Sequence, residues 1–190
     1  MSLNIDHFDK KILSILQKDG RISNVELAEA VHLSESACLR RVRALEEAGF
    51  INSDWTWNLK NKKISNLKKY RLSDNYLRFY LKYILPHKAL ITEKTFARGA
   101  ITSLPNWATV MGYQFENLVI SNRAALYKAL QLNPQNIRIA NPFFQRKTKR
   151  HRGCQIDFMI QTNHQTLYLV EIKFSQSKIK ISVVEEMEEK

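Results

Sequence analysis

Asp157 is followed fourteen positions later by Glu171, and Glu171-x-Lys173 sets a carboxylate and an ammonium two residues apart on an apolar stretch. Two carboxylates can hold a hard divalent cation, and a lysine beside them can steer an attacking water or a scissile phosphate. Successive side chains of a strand alternate between its faces, so Glu171 and Lys173 fall on the same one. An apolar strand has little reason to carry both toward one side unless they meet partners there. The chemistry these types and spacings describe is metal-assisted cleavage of a phosphodiester.

The elements that must position these residues can be read from periodicity. Residues 154–161, CQIDFMIQ, alternate as a strand with Asp157 among apolar neighbours. Asn163-His164-Gln165 makes a turn, and residues 166–174, TLYLVEIKF, form the next strand. Upstream, residues 112–130 predict a helix whose core face carries Phe115, Leu118, Val119, Leu126 and Leu130, with Glu116 beside that face. Residues 136–144 read as a strand, followed by a run from Gln145 to Arg152 with five Lys/Arg in eight positions. Helical sequence resumes near Ile181.

The N-terminal residues have another pattern. Phe8, Ile12, Leu13 and Leu16 share a helical face, and Asp19-Gly20 ends that helix. Ser23-Asn24-Val25-Glu26 is a capping box opening a short helix through Val31, and Ser34 caps a longer one that ends at Gly49. Short helix, tight turn and longer helix with a polar N-terminal end is the helix-turn-helix pattern. Trp55, Trp57 and Leu59 then alternate with polar residues, and Ile64 to Leu72 can return as a second strand. A hairpin in that place reads as a wing, and its tip carries Lys60, Lys62 and Lys63, which suit a phosphate backbone. Ser73 is expected to cap a helix bearing Tyr76, Phe79, Tyr80 and Tyr83 as a core stripe, ended by Pro86.

Composition bounds these readings. The chain has 190 residues, 44% of them hydrophobic, enough for one compact domain or two small ones. Residues 1–50 carry seven Lys/Arg against eight Asp/Glu, whereas residues 51–190 carry 23 against ten, so the whole excess of +12 lies after the helix-turn-helix. Such a segment fits a polyanion partner, most often nucleic acid. Cys38 and Cys154 are too few and too unlike in context for a disulfide framework or a zinc knuckle. No signal core and no run of about 20 apolar residues is present, so a cytoplasmic protein without membrane contact is expected.

The string FDKKILSILQKDGRISNVELAEAVHLSESACLRRVRALEEAGFI resembles the DNA-binding domain of the Lrp/AsnC transcription regulators over the first quarter of the chain. In that family the third helix enters the major groove. The resemblance therefore implies DNA contacts from Ser34, Ser36, Arg40 and Arg43, with hydroxyls suited to phosphates and arginines to guanine edges. The family continues into a ferredoxin-like amino-acid-binding domain, and nothing after Ile51 resembles it. Amino-acid sensing and the family's assembly do not carry over, although a homodimer on double-stranded DNA stays open.

The order of helix with Glu116, strand, strand with Asp157, strand with Glu171 and Lys173, and helix resembles the PD-(D/E)xK nuclease core. That resemblance makes Asp157 and Glu171 the metal ligands, Lys173 the residue that positions water, and Glu116 an auxiliary carboxylate, with Mg²⁺ as the ion. The segments KYRLSDNYLRFYLKYI, LPNWATVMGYQFENLV, NPFFQRKTKRHRGCQIDFMIQT and LYLVEIKFS are similar to the C-terminal DUF234 region of archaeal and bacterial AAA-type ATPases. No P-loop signature occurs, so ATP binding is not expected. The nuclease core normally adds more of the last helix and a further strand, so a core shortened at its C-terminus is expected. The sequence thus predicts an α+β chain. Residues 1–84 form a winged helix-turn-helix with its wing and connecting helix, 85–105 a linker, and 106–190 a mixed α/β PD-(D/E)xK-like domain. Three functions compete: a sequence-specific regulator-type DNA binder, a Mg²⁺-dependent DNA nuclease, and a non-catalytic remnant of an AAA-type ATPase.

Overall fold

The capping residues read from the sequence sit where the first helices begin. This computed structural model describes residues 5–96, 101–149, 152–175 and 177–189. Helix α1 spans His7–Lys18, α2 Asn24–Val31 and α3 Glu35–Glu47. Asp6 and Asp9 close a capping box on α1, and Ser23 and Glu26 close one on α2. Ser34 Oγ accepts the N–H of Ala37 at the start of α3. Each cap satisfies amide donors that a helix leaves unpaired at its N-terminus. His32 takes a left-handed conformation, φ 60°, between α2 and α3, and Gly49 does the same after α3, φ 78°. Phe50 N–H then donates to Leu45 O at 2.9 Å, turning the chain out of the helix.

Strands β1 (Ile51–Trp57) and β2 (Ile64–Leu72) pair as the expected hairpin. Helix α4 (Asn75–Phe79) comes next, capped by Asp74 and not by Ser73, whose hydroxyl instead donates to Gly49 O. The helix does not end at Pro86. It continues as a π turn over Tyr80–Ile84, a 3-10 turn over Leu85–His87 that contains Pro86, and α5 (Lys88–Thr92). The stretch read as a linker thus carries helical turns at both ends, and its residues 97–100 lie outside the described residues.

The chain divides into two compact units. One takes residues up to 54 together with 68–107, and the other takes 55–67 together with 108–190. In the first unit Ile12, Leu13, Leu16, Leu27, Val31, Val42 and Leu45 form one core with Ile51, Leu72 and Leu77. Gly20 lies against β2, where Tyr70 N–H donates to Gly20 O at 2.6 Å. Arg71 and Asp54 form a buried ion pair at 3.0 Å across the base of the hairpin.

In the second unit the predicted helix over 112–130 is two. Helix α6 runs Trp107–Ser121 and α7 runs Arg123–Ala129. Asn122 leaves the helical region, φ −105° and ψ 50°, and its side-chain amide donates back to Leu118 O at 2.7 Å. This local bond competes with helix continuation, as asparagine side chains do. Strands β3 (Ile137–Gln145), β4 (Cys154–Thr162) and β5 (Leu167–Val170) form an antiparallel sheet in that order. A short α8 spans Ser182–Glu188. The distal hairpin joins this unit. Trp57, 3% exposed, packs with Phe143, Ile156 and Met159. Trp57 Nε1–H donates to Gln161 Oε1 at 2.9 Å, and the Asn141 amide donates to Trp55 O at 2.6 Å. Arg123 in turn donates to Ala140 O and to Asn141 Oδ1. The residues read as the tip of a DNA-binding wing therefore cluster with the C-terminal sheet. Of the residues read as one half-buried strand face, Trp57 is buried and Trp55 half-buried, whereas Leu59 lies beyond β1 and is exposed, and the alternation does not say what covers Trp57.

Candidate functional site

Helix α3 presents its exposed face because the opposite face is fully used. Cys38, Val42 and Leu45 are buried in the first unit's core, and burial raises the Cys38 thiol above its usual pKa. The Asn24 side chain donates to Glu35 O at 3.0 Å and ties α2 to the first turn of α3. Leu33 N–H donates to Ala28 O, closing the turn between them. On the other side, Ser36, Leu39, Arg40, Arg43, Ala44 and Glu47 line an open groove of about 420 Å³. Ser34 Oγ lies 3.3 Å from Ser36 Oγ, so the two hydroxyls sit together at the helix start. Arg40 and Arg43 are exposed, and neither makes an ion pair among the described residues.

The neighbouring arginine has another task. Arg41 turns inward and bonds Asp6 and Asp9 at 2.8 Å each, with its guanidinium 5.3 Å from the centre of the Phe8 ring. These carboxylates hold the Arg41 guanidinium above its already high pKa. Asp6 is held below the usual carboxylate range, first by the Asp9 backbone N–H and then by Arg41. Of three arginines within four positions, the fold spends one on its own stability and leaves two facing outward. Of the four residues expected to contact DNA, Ser36, Arg40 and Arg43 thus share one accessible face of α3, and Ser34 caps its start. Lys60, Lys62 and Lys63 do not belong to this unit.

The second constellation forms at the end of β5. Asp157 on β4 is half-buried, and its Oδ2 accepts the backbone N–H of Ile172 at 2.9 Å. Ile172 lies between Glu171 and Lys173, so this bond draws both strands' reactive residues to one place. It also accounts for the short β5. The Ile172 N–H goes to a side chain and not along the ladder, which ends at Phe158 paired with Val170. Lys173 Nζ donates to Glu171 Oε1 at 2.7 Å. That bond, with the nearby Asp157 and Glu186 charges, holds the Lys173 ammonium above its ordinary pKa against the opposing effect of burial.

Glu116 is half-buried on α6, and the adjacent Phe115 ring lies 6.1 Å from Phe174. Helix α6 therefore packs beside the segment that carries Lys173. Among the described residues, however, no three His, Cys, Asp or Glu side chains group so as to hold a metal ion, so Glu116 does not complete a three-carboxylate centre. The donor types of Asp157 and Glu171 suit Mg²⁺, which commonly takes one or two carboxylates and keeps several waters. The contact the sequence could not foretell is the one from the hairpin. Trp57 and Gln161 are 104 positions apart, and no local pattern couples them.

Comparisons with known proteins bear on the first site. Residues 5–52 match the family described as winged helix-turn-helix DNA-binding. Over 49 residues the chain is 63% identical to the leucine-responsive regulatory protein of Rhizobium meliloti (strain 1021), an overlap of 26% of this chain and 31% of that protein. Over 48 residues it is 60% identical to the proteins of that name from Salmonella typhimurium (strain LT2) and Escherichia coli (strain K12), covering 25% of this chain and 29% of each. The chain spans less than a third of the length of these curated relatives. No solved structure matches. The N-terminal quarter thus matches a winged helix-turn-helix DNA-binding family and is similar in sequence to part of these regulatory proteins, within a mixed α+β chain. No helix among the described residues is long and apolar enough to cross a membrane.

Proposed function

We propose that this chain binds double-stranded DNA sequence-specifically through α3, as a transcription-regulator-type module joined to a nuclease-like unit in the cytoplasm. The observation that carries the reading is the outward pair Arg40 and Arg43 beside Ser34 and Ser36, on a helix whose third arginine is already committed to Asp6 and Asp9. Arginine forks match the O6 and N7 acceptors of guanine in the major groove, and the serines suit the flanking phosphates. One α3 reads one half-site, so a homodimer on a two-fold symmetric operator extends the reading. The regulatory role of the relatives supports gene regulation as its use.

Selection of bound sequences from a random DNA pool tests this reading. The wild-type chain should enrich a motif, and Arg40→Ala with Arg43→Ala should lose it. Failure of the wild type to enrich any motif would refute the assignment.

A second reading rests on the convergence at Ile172. Asp157 and Glu171 would hold a Mg²⁺ ion, which would supply Lewis-acid activation of a phosphodiester. Lys173, a donor fixed beside Glu171, would orient the phosphate or the attacking water. Nicking of plasmid DNA that requires Mg²⁺ and disappears in Asp157→Ala and Lys173→Ala would support this activity. Cleavage surviving both substitutions would rule out these residues.

A further inference from the structure

Within the second unit, the distal hairpin and the end of β3 enclose an open cleft of about 620 Å³. Its walls carry Lys60 and Arg146, its polar edge Asn58, Ser65 and Thr148, and its lining includes no Asp or Glu. The segments that supply it are equally one-signed. Residues 58–69 hold five lysines and residues 145–153 hold five Lys/Arg, with no acid in either stretch.

The hairpin tip is held in shape, and the described ends of the basic segment after β3 are tied to each other. Asn58 Oδ1 accepts the N–H groups of Lys60 and Asn61 at 3.0 and 3.1 Å, and Asn58 N–H donates to Lys63 O at 2.9 Å. Lys62 adopts φ 62° to complete that tight tip. The Gln161 amide donates to Leu59 O at 3.3 Å and ties the tip to β4. On the other side the Gln145 amide donates to Arg152 O at 3.1 Å and closes the basic loop. Gly153 lies close to Lys147, since a side chain there would crowd Lys147 N at 3.0 Å. Arg150 and His151 of this loop lie outside the described residues.

We propose that this cleft is a second, sequence-independent site for the phosphodiester backbone of DNA, formed jointly by the hairpin tip and by residues 143–146 and 148 at and just beyond the end of β3, and separate from α3. Charge complementarity fixes the class of ligand as a polyanion. The volume exceeds a single phosphate and suits a run of backbone. The aromatic rings behind it, Trp57 and Phe143, are buried and offer no face for base stacking, so the contacts are ionic and indifferent to sequence. The proposal does not rest on the reading of α3.

The test uses the full chain carrying Arg40→Ala and Arg43→Ala, so that α3 contributes no specific contacts. Binding to a random-sequence DNA duplex is monitored by fluorescence anisotropy across a salt series. Each phosphate contact adds about 0.9 to the slope of log affinity against log salt, so adding Lys60→Ala and Arg146→Ala should lower the slope by about 2. Lys18→Ala with Lys128→Ala, an equal charge loss at residues that do not line the cleft, should leave it unchanged. Matched melting temperatures verify the fold of both variants. An unchanged slope in the cleft variant, or an equal fall in the control pair, overturns the proposal. Tighter binding of inorganic polyphosphate or single-stranded RNA than of duplex DNA overturns DNA as the occupant. A wrong reading of α3 shows elsewhere, as a wild-type chain without sequence preference.

Discussion

Asp157 Oδ2 accepts the backbone N–H of Ile172 at 2.9 Å, and that bond brings Glu171 and Lys173 to the side of β4. An amide that loses such an acceptor in a half-buried place typically costs about 1–3 kcal/mol. Asp157→Ala should therefore lower stability by about that amount and speed hydrogen exchange at the Ile172 amide. Asp157→Asn keeps a carbonyl oxygen there and should exchange more slowly than the alanine variant. Equal exchange in wild type and Asp157→Ala would show that the bond does not hold the segment.

Arg40 and Arg41 are adjacent in sequence and should fail in opposite ways. Arg40→Ala removes a group expected at base edges, so it should cost about 1–3 kcal/mol of sequence-specific binding and leave the melting temperature unchanged. Arg41→Ala strips Asp6 and Asp9 of their shared partner and should lower the melting temperature. Binding isotherms and thermal melts on both variants decide this, and an exchange of the two phenotypes would reverse the assignment.

Gly20 has no room for a side chain, because a Cβ there would collide with the Tyr70 carbonyl of β2. Backbone has to move to relieve that contact. Gly20→Ala should therefore destabilise the first unit by about 1–3 kcal/mol, the usual cost of overpacking, measurable by urea unfolding. A neutral result would mean that the loop and β2 separate easily.

The Lys173–Glu171 pair gives a dependence on pH with a definite sign. The folded chain raises the Lys173 pKa, so the stabilisation is complete below the unfolded value of about 10.4 and is lost as pH rises through the folded pKa. The stability gap between wild type and Lys173→Met should be constant near neutral pH and should close in alkali. Lys173 is partly exposed, so the gap itself is small. A gap that stays flat into alkali would mean that the pair adds nothing to folding.

The helices of the first unit are legible in the sequence because their signals are local. Ser23 with Glu26, Ser34 and Gly49 each act within one turn of chain, and the structure puts the helix ends there. The strands expected at 136–144 and 154–161 are found at 137–145 and 154–162, although neither alternates in burial: each has a run of buried residues toward its end. Where the pattern misleads, the deciding partner is elsewhere in the chain or on another atom. Asn122 breaks the helix by bonding its own preceding turn, and Asp157 ends β5 by taking an amide from it. The hairpin is legible as a hairpin, yet its burial against Phe143 and Met159 depends on residues more than eighty positions away. At the candidate DNA-binding helix, periodicity gives both position and exposure. It does not give the inward turn of Arg41, because the acids that draw Arg41 in lie at the start of another helix.

The two strands of the hairpin have a consequence for how such a chain can be assembled or taken apart. The proximal residues of β1 and β2 belong to one unit and the distal residues to the other. Neither unit is a single continuous stretch of sequence, so the border between them is not a place where a gene could be cut once. A recombination event that exchanged only the residues before the hairpin would leave the second unit whole, but it would part the core face of α1 to α3 from Ile51, Leu72 and Leu77. An exchange placed after α5 would strand Trp57 without its sheet. A graft at the foot of the hairpin would therefore have to match Ile51, Leu72 and Leu77 of the first unit, while Trp57 keeps its place on the C-terminal strands.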